Sequence, residues 1–161
     1  MPEKRIKDLM LSLEAFSHIS PQEKLGHAVK VLETRKHQGL PAFLLVVDVI
    51  DQKEEILGML SPETLLSHME SSREPAEELP IFWQGQFQEE CEAVFGNAVA
   101  DVMSPVTRVI HETGTLTEAV HLMHLQGTDW LPVVAEQSVV GIVLKDALID
   151  EVFLATKAVA A

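Results

Sequence analysis

The stretch Val99-Ala100-Asp101-Val102-Met103 has a counterpart near the start of the chain, Ile6-Lys7-Asp8-Leu9-Met10. The residues downstream of each copy are duplicated as well. Leu25-Gly26-His27-Ala28-Val29 opens an amphipathic stretch after the first copy, and Leu116-Thr117-Glu118-Ala119-Val120 does so after the second. A Leu-Pro pair comes next, with Pro41 thirteen residues beyond Ala28 and Pro132 thirteen beyond Ala119. Apolar segments then lead to Gly58-Met59-Leu60 and Gly141-Ile142-Val143. Order and spacing kept over so many positions mark an internal duplication. The chain divides into a first repeat over 1–70, an acidic connecting segment over 71–98 and a second repeat over 99–161.

Each repeat reads as helix, strands, helix. Leu25, Ala28, Val29 and Leu32 fall at i, i+3, i+4 and i+7, as do Leu116, Ala119, Val120 and Met123, which is the spacing of one helical face. Phe43 to Ile50 and Val133 to Leu144 are rich in β-branched and aliphatic residues, as strands and hairpins are. Counted from its proline, the first hairpin is eight residues longer, with Asp51-Gln52-Lys53-Glu54-Glu55 as its polar tip. Ser61-Pro62-Glu63 combines a hydroxyl N-cap, a proline at N1 and a first-turn acid, so a helix starts there. Between the repeats, 71–75 reads as loop. Trp83, Phe87, Cys91, Val94 and Phe95 share a helical face ending at Gly96-Asn97, which predicts an acidic amphipathic helix packed on one repeat or on a partner.

Composition excludes several functions. Of 161 residues 47% are hydrophobic, enough for a full core. Twelve Lys and Arg against 25 Asp and Glu leave a net charge of −13, so nucleic acid and anionic membrane are poor partners. The eight glycines are too scattered for a dinucleotide fingerprint, a Walker A loop or a Gly-x-Ser-x-Gly elbow, each of which clusters glycines to bring backbone close to a ligand or nucleophile. One cysteine, Cys91, closes no internal disulfide, which suits a reducing cytosol. With no apolar leader after Met1 and no run of about 18 apolar residues, the expected setting is cytoplasmic.

The duplicated motifs resemble the cystathionine-β-synthase (CBS) domain, in the tandem arrangement called a Bateman module. Val102-Met103-Ser104-Pro105, Thr115-Leu116-Thr117-Glu118-Ala119, Leu131-Pro132-Val133-Val134 and Gly141-Ile142-Val143 match the family's order and spacing. The first repeat matches through Asp8-Leu9-Met10, Leu25, Ala28, Leu40-Pro41 and Gly58. The resemblance implies an α+β fold of two β-α-β-β-α repeats about a pseudo-twofold axis, leaving two clefts. It also implies adenosine-containing effectors (AMP, ADP, ATP or S-adenosylmethionine), regulation of a protein not identified by the sequence, pairing into dimers, and no catalysis.

Ribose-holding members of the family carry Gly-x-x-Ser/Thr-x-x-Asp. In this chain the first repeat has Gly58-Met59-Leu60-Ser61-Pro62-Glu63-Thr64, with Thr64 where the acid belongs. The second has Gly141-Ile142-Val143-Leu144-Lys145-Asp146-Ala147, with both positions apolar and Asp146 one residue early, about 100° away on a helix. A charge-assisted bond to ribose is worth roughly 1.5–3 kcal/mol, so its loss costs one to two decades of affinity. The second cleft is therefore not a standard nucleotide site, and weak binding is expected in the first.

The candidate ligand residues are Ser61, Thr64, Thr107, Arg108, Trp130 and Lys145. Four of them have a plain alternative. Ser61 is an ordinary N-cap, Arg108 and Lys145 are solvated cations, and Trp130 is a core or interface residue. His121 and His124 have no glutamate between them and no evident third ligand, so surface histidines are expected and no metal. Leu122 and Leu125 project away from the α-helical core stripe, and Val31 holds the position equivalent to Leu122. These three predict a homodimer interface. The resulting expectation is a stand-alone regulator that senses a small molecule, requires no cofactor and is not an enzyme. The rival reading is a protein interaction and dimerisation module with vestigial clefts.

Overall fold

The computed structural model describes residues 3–71 and 82–160. In chain order the elements are α1 (Ile6–Leu9), β1 (Leu11–Ser12), a 3-10 turn (Leu13–Ala15), β2 (Ser17–Ile19), α2 (Leu25–His37), β3 (Leu44–Ile50), β4 (Lys53–Leu60) and α3 (Pro62–Ser71). They continue with α4 (Gln86–Phe95), α5 (Val99–Val102), β5 (Ser104–Pro105), β6 (Ile110–His111), α6 (Leu116–Gln126), β7 (Trp130–Ala135), β8 (Ser138–Leu144) and α7 (Lys145–Ala160). Each repeat thus runs β-α-β-β-α, as β2-α2-β3-β4-α3 and β6-α6-β7-β8-α7.

The compact units cross the repeat boundaries read from the sequence. One unit is Phe16–Pro105, and the other joins the segment ending at Ala15 to the one beginning at Val106. Each repeat lends its opening turn to the other repeat's sheet. The orders are β2-β3-β4-β5 and β1-β8-β7-β6. In both, the two long strands are antiparallel, the short post-loop strand runs parallel to the first of them, and the lent strand is antiparallel to the second.

Two glycines make the exchange possible. A Cβ on Gly58 would lie 2.4 Å from the Ser104 carbonyl and 2.9 Å from the Met103 sulfur. A Cβ on Gly141 would lie 2.7 Å from the Leu11 carbonyl and 2.9 Å from the Met10 sulfur. The Asp-x-Met motif of one repeat and the glycine of the other are therefore two halves of one contact. The lent segments are clasped in the same way at their other edge. Ile6 and Lys7 donate their N–H groups to Gly114 and Glu112 carbonyls, and Val99 and Ala100 donate to Glu23 and Pro21.

Each unit has its own core. Leu25, Ala28, Leu32, Leu44, Val46, Leu60, Val94, Val99 and Val102 form one; Ile6, Ile110, Ala119, Met123, Leu131, Val133, Val143 and Leu148 form the other. The buried face of α6 is turned from the expected one. Val120 is 51% exposed, while Leu122 packs against its unit's core. Thr115 caps α6 by accepting the Glu118 N–H.

Strand register corrects the alignment of the repeats. Val46 faces Gly58 as Val133 faces Gly141, so Leu44-Leu45-Val46 is equivalent to Leu131-Pro132-Val133. Leu40-Pro41 is not the counterpart of Leu131-Pro132; it lies in the connection between α2 and β3. The hairpin tip is also shorter than expected. Asp51 and Gln52 alone form the turn, at φ 51° and 66°, while Lys53, Glu54 and Glu55 pair with Ile50, Val49 and Asp48. Positive φ at both positions is the two-residue geometry that follows strand twist.

The connecting helix, α4, packs on the first repeat through Val94, with Cys91 half-buried. Trp83, Phe87 and Phe95 are exposed at 54%, 66% and 42%, so the expected five-residue buried face is not formed. The half-buried side runs through Gln86, Glu90 and Cys91 to buried Val94, and Trp83 precedes the helix. Gly96 ends α4 at φ −79°, without a left-handed cap. Of the predicted loop at 71–75, all but Ser71 lies outside the described residues.

Candidate functional site

The corner where β4 enters α3 is the polar end of the first repeat's sheet. Ser61 sits there with 5% exposure, held between Leu60 and the first turn of α3. The Ser61 N–H donates to Thr64 Oγ1 at 2.9 Å, and the Thr64 N–H donates to Ser61 Oγ at 3.3 Å. The Thr64 hydroxyl in turn donates to the Ser61 carbonyl at 2.7 Å. This is a reciprocal helix cap, with threonine in the place that glutamate or glutamine usually takes. Both lone candidates of the first repeat thus have a structural task. Ser61 accepts in the cap, which leaves its hydroxyl proton available, whereas the Thr64 proton is used.

The equivalent corner of the second repeat is apolar. Leu144 is 8% exposed and lies opposite Trp130, itself 5% exposed. Lys145, the first residue of α7, donates its N–H to the Asp129 carbonyl, and its Nζ lies 3.0 Å from Asp129 Oδ1. Both members of that ion pair are half-exposed, at 53% and 52%. Thr107 and Arg108 are exposed and precede β6, whose Ile110 runs parallel to Val133 of β7. They therefore lie toward the strand end that also carries Trp130. Trp130 is among the buried hydrophobic residues of its unit.

The structure groups the candidates by unit: Ser61 and Thr64 in one, Thr107, Arg108, Trp130 and Lys145 in the other. At the interface positions, Val31 and Leu122 pack against the cores of their own units, and Leu125 is 55% exposed. The outward projection read for Val31 and Leu122 is corrected: α6 is turned so that Leu122 rather than Val120 meets the core, whereas α2 buries its expected stripe and half-buried Val31 packs beside it. His121 and His124 are both exposed, and no group of three metal-ligating side chains occurs among the described residues.

One polar residue was missed. Arg35 is 7% exposed, donating from Nε to the Pro41 carbonyl at 2.7 Å and from Nη1 to Ser17 Oγ at 3.1 Å. Its position was legible, since Leu25, Ala28, Leu32 and Arg35 continue one helical stripe. By register, Ser17, which the Arg35 guanidinium contacts, is the counterpart of Arg108. At the positions equivalent to Thr107 and Trp130, the first repeat has Phe16 and Phe43, edge to face at 6.5 Å.

Residues 99–153 match the family model of the CBS domain. The comparison with curated protein sequences gave no match. Among solved structures, CBSX2 in complex with AMP is similar over 94% of this chain and 98% of its own, at 20% identity and TM-score 0.62. A putative acetoin utilization protein (AcuB) from Vibrio cholerae is similar over 100% of both chains, at 17% identity and TM-score 0.63. The CBS domain pair of MJ0100, in complex with 5-methylthioadenosine and S-adenosyl-L-methionine, is similar over 96% of this chain and 99% of its own, at 14% identity and TM-score 0.60.

Proposed function

We propose that this chain, a tandem CBS (Bateman) module by the family match of its second repeat and by its fold throughout, is a regulatory module that senses a small molecule. The ligand is an adenine nucleotide or a related adenosyl compound such as S-adenosylmethionine, bound weakly in the first repeat. The observation that carries this reading is the asymmetry of the two corners: buried Ser61, with a hydroxyl proton still to donate, against Leu144 at the same place. A phosphate or ribose oxygen needs a donor where it docks, and a leucine supplies none. The likeness to pairs solved with AMP and with S-adenosyl-L-methionine supports the ligand class. Binding without a charged partner at Thr64 would be weak. The module works in the cytoplasm as a homodimer that modulates another protein and performs no chemistry itself.

A second reading has its own observation. Ile149, Val152 and Phe153 of α7 are exposed at 40%, 57% and 60%, and together with the use of the Thr64 hydroxyl in a cap they favour an interaction module with vestigial ligand sites. A thermal-shift series with AMP, ADP, ATP and S-adenosylmethionine, on the wild type and on Ser61→Ala, separates the two. A ligand at 100 times its Kd adds about 2.7 kcal/mol, a rise of roughly 5–10 °C at this size. The sensor reading expects such a rise with one nucleotide, reduced in Ser61→Ala when each protein is compared with its own ligand-free Tm. No response to millimolar ligand would overturn it and leave the interaction module.

A further inference from the structure

The first repeat carries a groove that none of the sequence motifs indicated. It runs along one flank of α2, encloses about 470 Å³, and is lined by Ser17, His27, Lys30, Val31, Thr34, Arg35, Gln38 and Leu40. All of these lie in the Phe16–Pro105 unit, beside the edge strand β2 and two strands away from the β4 that leads to Ser61.

The charge there opposes that of the chain. Of the twelve Lys and Arg, four (Lys24, Lys30, Arg35 and Lys36) fall within residues 24–37, against one acid, Glu33, while the whole chain stands at −13. His27 also lines the groove, and a Glu23 carboxylate oxygen lies 3.4 Å from its Nδ1. The lining is also rich in donors. Arg35 is buried, and its bonds to the Pro41 carbonyl and to Ser17 Oγ hold the guanidinium in one position. Ser17 accepts in that bond, which leaves its hydroxyl proton to donate. Lys30 brings an exposed ammonium, and Gln38 an amide. Val31 and Leu40 supply the apolar part.

We propose that this groove binds a small organic phosphate, its anion on Lys30 and the Arg35 side and its apolar body on Val31 and Leu40. A volume of a few hundred Å³ suits one small molecule, and a fixed guanidinium beside an exposed ammonium suits a phosphate. The site is independent of the nucleotide reading at Ser61. No residue is shared, and either can fail alone.

Phenyl phosphate is the probe, with phenol as its neutral counterpart, and amide chemical shifts in a 15N-labelled full chain are the readout. Saturable shifts confined to Ser17, His27–Gln38 and Leu40 are expected with phenyl phosphate, but not with phenol. Lys30 is exposed, so Lys30→Glu should fold as the wild type does while weakening the titration at least tenfold, and Lys30→Arg should retain it. Shifts spread evenly over Lys4, Lys53 and Lys157, or a titration unchanged by Lys30→Glu, would overturn the proposal. So would saturation by an acidic peptide with no response to phenyl phosphate, since the groove would then be a peptide surface.

Discussion

The two repeats build the same corner from different residues. In each, a glycine admits the lent strand, and three residues later the chain turns into a helix. The first repeat finishes that turn with Ser61 and a hydroxyl cap, the second with Leu144 against Trp130. One exchange of polar for apolar recurs just before the post-loop strand, in the opposite sense: Phe16 stands there in the first repeat and Thr107 in the second, while Phe43 and Trp130 keep the neighbouring strand aromatic in both. A duplicated fold therefore leaves the backbone geometry common while each copy settles its polarity alone. Backbone hydrogen bonds and the glycine contacts constrain every copy, whereas a corner side chain only has to be capped or buried.

Breaking the register should have the largest effect. Leu44 and Leu131 are equivalent and at most 1% exposed, so Leu44→Ala and Leu131→Ala should each cost about 2–5 kcal/mol in urea unfolding. Leu40 is 46% exposed, and Leu40→Ala should cost under about 1 kcal/mol. A loss at Leu40 matching that at Leu131 would restore the alignment by Leu-Pro pairs and break the equivalence of Leu44 with Leu131.

The glycine pair tests the exchange. Gly58→Ala and Gly141→Ala each drive a methyl against a backbone carbonyl, at 2.4 and 2.7 Å, and should cost about 1–3 kcal/mol, with Gly58 the larger. Neither cost arises if the lent strands β5 and β1 do not cross there, so two neutral substitutions would remove the exchange. The smallest effect belongs to the hairpins. Gln52→Gly relieves a side chain at φ 66°, worth about 1–2 kcal/mol, against about 0.4–1 kcal/mol of added chain entropy in the unfolded state, and should raise the urea midpoint slightly. A lower midpoint would mean that the turn is not of this form.

Much of this was legible in the residues. The Asp-x-Met motifs, the periodic helices and the glycines identified the duplication, because they record constraints that act locally or recur at fixed spacing. Leu40-Pro41 misled, since it repeats a dipeptide without repeating a place in the sheet. Ser61 was legible as an N-cap from Ser-Pro-Glu, but its partner was not. Thr64 looked like a lost acid and is in fact the other half of the cap. The face of α6 was misread at Val120 and Leu122, because a stripe of apolar residues leaves a helix free to rotate by one position until its sheet is in place.

By itself the sequence determined that the chain holds two repeats of helix, strands and helix, that a helix starts at Ser61-Pro62, and that an apolar residue, Leu144, stands in the second repeat where the first has Ser61. Tertiary structure alone decided which repeat owns each opening strand, how the copies align across the sheets, and that Arg35 meets Ser17 beside a basic groove. The physical reason is range. Periodicity and capping act within a few residues and leave their mark in the order of the chain. Strand exchange and the convergence of Ser17, Arg35 and Leu40 depend on which distant segments pack, and no local pattern carries that information.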